Sequence, residues 1–150
     1  MNTIIFLCTG NYYRSRFAEY YFNHFSNALP WRAESRGLAL DTYNNIGPIS
    51  ALTTTELKKL GIVVTNPRFP ISATEKDFES AQKIIALNKV EHEPIINKNF
   101  PKWEGSVTYW EVGDIDTMLT GTAVHKMEKL LNELLESLKR DNLVKNPTFR

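Results

Sequence analysis

Short apolar runs alternate with amphipathic stretches along this chain. Residues Thr3–Leu7 form an apolar, partly β-branched run, which predicts a buried first strand. The apolar side chains between Phe17 and Phe25 recur at helical spacing, and Ser15 before them is a candidate N-cap. The chain is therefore predicted to begin with a strand, a loop and an amphipathic helix, and Cys8 ends the strand.

The same alternation continues to the C-terminal part of the chain. The further elements are predicted as strands at Trp31–Ser35, Lys83–Leu87 and Val107–Val112 and as helices at Ile49–Leu60 and His125–Arg140. Residues 141–150 are expected to form a frayed tail. Strands that alternate with helices indicate an α/β fold with a parallel sheet and right-handed crossovers. Such sheets bind ligands at the carboxyl ends of their strands, where Cys8 is expected to lie.

Composition narrows the class of protein without identifying it. The 150 residues, of which 42% are hydrophobic and 23% charged, are typical of one globular domain spanning residues 1–150. A formal net charge of +1 gives no electrostatic footprint for nucleic acid or for a membrane surface. The first apolar run is too short for a signal peptide, and the chain has a single cysteine. We therefore expect a cytoplasmic protein.

The segment between Cys8 and Ser15 carries the strongest chemical signal. It places a thiol and the guanidinium of Arg14 at the two ends of one tight loop, directly before a helix. Backbone N–H groups of such a loop and the positive end of the helix can hold a phosphate, and an arginine can bind two phosphate oxygens at once. The loop residues expected to bind phosphate are Thr9, Gly10, Asn11, Tyr12, Tyr13 and Ser15.

The same loop favours nucleophilic catalysis by Cys8. A positive environment stabilises a thiolate, which is the form that can attack phosphorus. Gly10 and Asn11 suit the unusual backbone angles of a cradle. The hydroxyl of Ser15 is expected to hydrogen-bond the sulfur when it becomes the leaving group. We interpret Cys8 as the nucleophile and Arg14 as the phosphate clamp.

The run from Cys8 to Glu19 resembles the signature of the low-molecular-weight protein tyrosine phosphatases, in which a Cys-x5-Arg-Ser loop contains Gly-Asn and leads into an Ala-Glu helix. Similar segments follow in the family's order along nearly the whole chain, among them Ser35–Gly37 and Ile84–Asn88. The resemblance implies a three-layer α/β fold, a four-stranded parallel sheet flanked by helices. It also implies a metal-independent phosphatase that uses no cofactor.

The resemblance further implies an aspartic general acid in a loop near the C-terminal end. Asp114 fits this role, with Asp116 as the alternative, although Ile115 stands where the family usually has proline. Relatives brace the phosphate loop with a histidine, and here Thr65 or Asn66 is expected to replace it. In the mechanism that the resemblance implies, the thiolate attacks, the aspartic acid protonates the departing oxygen, and water hydrolyses the phosphocysteine.

Substrate and partners are expected to follow from the walls of the site. Tyr12 with Tyr43 or Asn44 can line a slot for an aryl phosphate. The expected partners are a phosphotyrosine protein or a small aryl phosphate, with inorganic phosphate as product and inhibitor and neither nucleic acid nor membrane.

Two other functions remain open at this stage. A non-catalytic module that binds phosphotyrosine or phosphate would use the same cradle, and a phosphocarrier phosphorylated on cysteine would use the same thiol. Arsenate reduction would need further cysteines, and Cys8 is the only cysteine of the sequence.

The three histidines, His24, His92 and His125, lack metal-ligand spacing and are expected to be surface or packing residues, so no metal site is predicted.

Overall fold

A computed structural model describes residues 1–42, 44–114 and 120–145. A four-stranded parallel sheet lies at its centre, in the order β2-β1-β3-β4. The strands are β1 at Asn2–Cys8, β2 at Trp31–Gly37, β3 at Lys83–Ala86 and β4 at Val107–Tyr109. The predicted α/β class, the parallel sheet and its four strands are confirmed, although β4 ends three residues before its predicted end.

Helices flank the sheet on both faces. The helices are α1 at Arg14–Phe25, α2 at Ala51–Lys59, α3 at Glu75–Ser80, α4 at Lys89–Asn99 and α5 at Thr120–Lys145, with short 3-10 turns at Leu40–Thr42 and Pro101–Ser106. Within the described parts of the chain, none of these helices combines the length and the apolar character needed to cross a membrane.

The last helix is longer than the sequence pattern predicted. The prediction of a frayed tail is wrong for residues 141–145, because α5 continues to Lys145. No glycine or proline interrupts the chain between Arg140 and Lys145, so nothing ends the helix there. The rest of the predicted tail, residues 146–150, lies outside the described residues.

Two helices, α3 and α4, were not predicted. Thr74 caps α3 in a capping box with Asp77, and the side chain of Asn88 caps α4 by accepting a hydrogen bond from the N–H of Glu91 at 2.9 Å. The second cap has a functional consequence, because it begins α4 directly after β3. The first turn of α4 therefore lies at the carboxyl edge of the sheet.

Strand β1 is buried on both faces and fixes where the phosphate loop begins. Ile4 and Phe6 pack on the side of α1 and α5, whereas Ile5 and Leu7 pack on the side of α3 and α4. Alternate residues of a strand point to opposite faces, so a continuous apolar run suits a central strand. Because β1 pairs with both β2 and β3, Cys8 is held at the middle of the sheet's carboxyl edge.

Candidate active site

The loop between β1 and α1 begins at Cys8 and ends at Arg14, as the sequence predicted. The residue after β2 supports it from behind, where the N–H of Leu38 donates to the carbonyl of Cys8 at 2.9 Å. The approach depends on Gly37, since a Cβ there would lie 3.0 Å from the carbonyl oxygen of Thr9. Glycine is required wherever another segment of backbone comes this close.

The thiol of Cys8 is buried and contacts a hydroxyl. Its Sγ lies 2.9 Å from the Oγ of Ser15, and this oxygen also accepts a hydrogen bond from Asn11 Nδ2 at 2.8 Å. Because Asn11 donates to the oxygen, the hydroxyl proton of Ser15 is available to the sulfur. The N-cap prediction for Ser15 is wrong: α1 begins one residue earlier, and Tyr13 precedes it without a side-chain cap. The hydroxyl serves the sulfur instead.

Asn11 holds the loop in shape through all four hydrogen-bonding positions of its amide. Its backbone is left-handed, with φ of 50°. Its Nδ2 donates to Ser15 and, at 2.9 Å, to Ser35, while its Oδ1 accepts from Arg68 Nη1 and from the N–H of Ile71, both at 3.0 Å. An asparagine amide has two donors and two acceptor lone pairs, so its capacity is fully used.

The brace behind this loop is Arg68 rather than the predicted Thr65 or Asn66. Arg68 also donates from Nη2 to Glu19 and to Ser35 Oγ, each at 3.0 Å. Burial lowers the pKa of Arg68, and the carboxylate of Glu19 opposes that effect. The arginine remains a cation that ties α1, through Glu19, and β2, through Ser35, to Asn11.

The guanidinium of Arg14 is almost fully buried and strongly held. It donates to both oxygens of Glu91, at 3.1 and 2.7 Å, and to the carbonyl of Val112 at 3.0 Å. Burial alone would lower the pKa of Arg14, but the hydrogen bond to Glu91 and the nearby anionic groups raise it above its ordinary value. Arg14 is therefore a permanent cation at the base of the loop.

Glu91 belongs to the site, although it was not predicted from the sequence. Its carboxylate also accepts hydrogen bonds from the hydroxyl of Thr9 and from His92 Nε2, the latter at 3.1 Å. Burial raises the pKa of Glu91, but the bonds from His92, Arg14 and Thr9 outweigh burial and hold it well below its ordinary value. An asparagine that caps a helix three residues before a glutamate, directly after a buried strand, was the available signal.

His92 is a buried member of the same cluster, which makes its assignment as a surface or simple packing histidine incomplete. Its Nδ1 accepts the N–H of Asn88 at 3.1 Å, so Nε2 carries the proton and donates to Glu91. Burial lowers the pKa of His92 below its ordinary value. A neutral imidazole therefore supports the carboxylate that holds Arg14.

The candidate acid lies beside the clamp. Asp114 Oδ2 is 3.8 Å from Arg14 Nη2, and its side chain is partly buried. The segment before it is anchored by the N–H of Val112, which donates to the carbonyl of Leu87 at 2.8 Å. The chain thus brings Cys8, Arg14 and Asp114 to one edge of the sheet. The alternative acid, Asp116, lies outside the described residues.

Two of the three expected pocket walls, Tyr12 and Asn44, lie in the described part of the chain. Tyr12 is half-buried, and its hydroxyl donates to the carbonyl of Ile46, whereas Asn44 is exposed. Tyr43 lies outside the described residues. Tyr13 turns into the core, where burial first, and then the charges of Glu56 and Asp114, raise its pKa to about 12.

No family model and no curated protein matches this chain. Solved structures do match it over most of its length. The low molecular weight protein tyrosine phosphatase from T. tengcongensis is 26% identical, with a TM-score of 0.74 over 94% of this chain and 99% of that one. The YwlE arginine phosphatase from Geobacillus stearothermophilus is 21% identical, with a TM-score of 0.78 over 97% of both chains.

A third matching structure is a YwlE arginine phosphatase in which the active-site cysteine is replaced by a serine that is phosphorylated. It is 24% identical, with a TM-score of 0.77 over 93% of this chain and 97% of that one. The predicted fold is therefore confirmed: this chain has the fold of the low molecular weight protein tyrosine phosphatases.

Proposed function

We propose that residues 1–150 form one phosphatase domain that hydrolyses phosphotyrosine or other aryl phosphate monoesters through a phosphocysteine intermediate. The observation that most supports this proposal is that a buried thiol, a buried arginine and a carboxylate lie around one loop at the carboxyl edge of the sheet. The matching structures support it, because their names describe phosphatases for phosphorylated tyrosine and arginine.

Each step of the proposed reaction uses a residue of this site. The thiolate of Cys8 attacks phosphorus, the bond from phosphorus to the ester oxygen breaks, and Asp114 gives its proton to that oxygen. Arg14 and the backbone N–H groups of the loop bind the remaining phosphoryl oxygens as charge develops on them. The first products are the free phenol and phosphocysteine.

The second half of the reaction restores the enzyme. The carboxylate of Asp114 removes a proton from water, the resulting hydroxide attacks phosphorus, and the bond between sulfur and phosphorus breaks. The hydroxyl of Ser15 donates a hydrogen bond to the sulfur as it leaves as a thiolate, at the 2.9 Å separation already present. Inorganic phosphate is the product, and it is expected to inhibit because it binds the same cradle. A lone cysteine that must stay reduced suits a cytoplasmic enzyme.

A second candidate substrate is phosphoarginine. Two carboxylates, those of Glu91 and Asp114, flank Arg14 at the site and would attract a substrate whose leaving group is a cationic guanidinium. A relative of the same fold is named as an arginine phosphatase. The chemistry at phosphorus would be the same, with a P–N bond broken in place of a P–O bond.

The test is hydrolysis of para-nitrophenyl phosphate without added metal, followed by peptides that carry phosphotyrosine, phosphoserine or phosphoarginine. Cys8→Ser is expected to abolish turnover. Asp114→Asn is expected to reduce kcat by about a hundredfold or more, with Asp116→Asn as the matched comparison. Tight binding of a phosphotyrosine peptide without turnover would instead support a non-catalytic binding module. A loss confined to Asp116→Asn would transfer the acid role to that residue.

A further inference from the structure

We propose that Glu91 is a positioning residue for Arg14, and that its charge weakens the binding of free phosphate. It holds the guanidinium in one orientation before substrate arrives, and it cancels part of the positive charge that a phosphate dianion would meet. This inference rests on the proposed phosphatase function, and it adds a residue that the reaction sequence itself does not use.

The positioning role follows from the geometry of the guanidinium. Both terminal nitrogens of Arg14 donate to Glu91, and Nη1 donates in addition to the carbonyl of Val112. A carboxylate that binds both nitrogens of an arginine fixes the plane of the guanidinium. The side chain is 2% exposed, so it has no room to reorient without breaking these bonds. Pre-ordering of this kind lowers the entropy cost of reaching the transition state.

Glu91 can act in this way because it is itself held. Its backbone N–H donates to the side chain of Asn88 at 2.9 Å, which fixes the first turn of α4. Its carboxylate accepts from Thr9, from His92 and twice from Arg14. Four donors therefore converge on one carboxylate, and one of them belongs to the residue that follows the nucleophile. Glu91 connects α4 to the phosphate loop as well as to the clamp.

The charge effect follows from the same contacts. Glu91 Oε2 lies 2.7 Å from Arg14 Nη2, whose side chain is 2% exposed, while that of Glu91 is 29% exposed. A phosphate dianion on Arg14 would be only a few ångströms from this carboxylate, and like charges this close repel each other. Binding of the ground state is thus weakened while the orientation of Arg14 is kept. Only interactions that are stronger in the transition state than in the ground state accelerate a reaction.

Substitutions at Glu91 separate the two effects. Glu91→Gln removes the charge and also places an amide N–H₂ against donors, because Arg14, Thr9 and His92 all donate here. Glu91→Asp keeps the charge but is one methylene too short to reach both nitrogens of Arg14. Glu93→Gln is the matched control, since it changes a partly exposed glutamate in the same helix.

The experiment measures two quantities for each protein: the dissociation constant of inorganic phosphate, by isothermal titration calorimetry, and kcat for para-nitrophenyl phosphate. Glu91→Gln is expected to bind phosphate about five- to tenfold more tightly and to lose about ten- to a hundredfold in kcat. Glu91→Asp is expected to lose kcat with phosphate affinity within about twofold of wild type. Glu93→Gln is expected to match wild type in both.

A merely structural role would change thermal stability or the active fraction without tightening phosphate binding while kcat falls. Unchanged kcat in both Glu91 variants, or phosphate binding by Glu91→Gln that is equal to or weaker than wild type, would overturn the proposal. If Glu91→Gln does not fold, Glu91→Asp decides the positioning role through kcat. A wild type that turns over no phosphorylated substrate would refute the proposed function instead, and the phosphate titration would still decide the charge effect.

Discussion

Replacing Asn11 with alanine should destabilise the phosphate loop more than any single contact suggests. The substitution removes four hydrogen bonds, those to Ser15, Ser35, Arg68 and the N–H of Ile71. Each is worth about 1 kcal/mol in net terms. Alanine at a left-handed position adds about 1 kcal/mol of backbone strain. Water can replace part of the hydrogen bonding that Arg68 loses, which lowers the summed cost. We therefore expect a loss of about 3 to 5 kcal/mol in the free energy of unfolding.

The chain supplies its own control for the backbone term. Asn66 is also left-handed, with φ of 47°, but its side chain is exposed. Asn66→Ala should therefore cost about 1 kcal/mol, which is the strain alone. Asn11→Gly should lie about 1 kcal/mol above Asn11→Ala in stability, because glycine relieves the strain but restores no hydrogen bond. These differences are measurable by urea unfolding with a common m-value.

The activity of the same variants gives a second readout. Asn11→Ala is also expected to lower kcat for para-nitrophenyl phosphate, because the loop that carries Cys8 loses its brace, whereas Asn66→Ala should leave kcat unchanged. Equal losses of stability in Asn11→Ala and Asn66→Ala would refute the reasoning. Such a result would mean that the four hydrogen bonds contribute nothing beyond what water supplies.

Three further predictions test other parts of the site. Ser15→Ala should slow departure of the Cys8 sulfur, so that para-nitrophenol appears in a burst followed by a steady rate about ten- to a hundredfold below wild type. A lower rate of para-nitrophenol release without a burst would contradict this role. The depressed pKa of Glu91 means that its contribution to stability is complete above about pH 4.5 and is lost as pH falls further, so Glu91→Gln should flatten the acid limb of a stability–pH curve. Gly37→Ala should cost about 1 to 3 kcal/mol, because a Cβ meets the back of the loop, whereas Gly105→Ala faces open space and should cost far less.

The fold was predictable wherever the apolar pattern was strong. Strand β1 and helix α1 carry continuous or periodic apolar residues, and both formed close to their predicted bounds. Helix α4 escaped prediction because it contains Pro94 and buries only His92 and Ile96, which leaves no apolar stripe to recognise. Helix α3 is six residues long and buries only Phe78, so its capping box was its sole local signal.

The site was predictable only as far as it is local. The thiol, the clamp and the hydroxyl of Ser15 lie within one short segment, so their spacing alone indicates a phosphate loop. Glu91 bonds Arg14 across 77 residues, and Arg68 bonds Asn11 across 57. Contacts of this range depend on strand order, which no local pattern encodes, and on the start of α4, for which the Asn88 cap was the local signal. The brace and the partner of the clamp therefore required the structure.

The central claim is that the reaction passes through phosphocysteine at Cys8. The most direct measurement is mass spectrometry of wild-type protein quenched in acid during turnover of para-nitrophenyl phosphate without added metal. We predict one phosphoryl group on the peptide that contains Cys8, more of it in Ser15→Ala and none in Cys8→Ser. Turnover without a phosphorylated Cys8 peptide, or turnover that survives Cys8→Ser, would contradict the account.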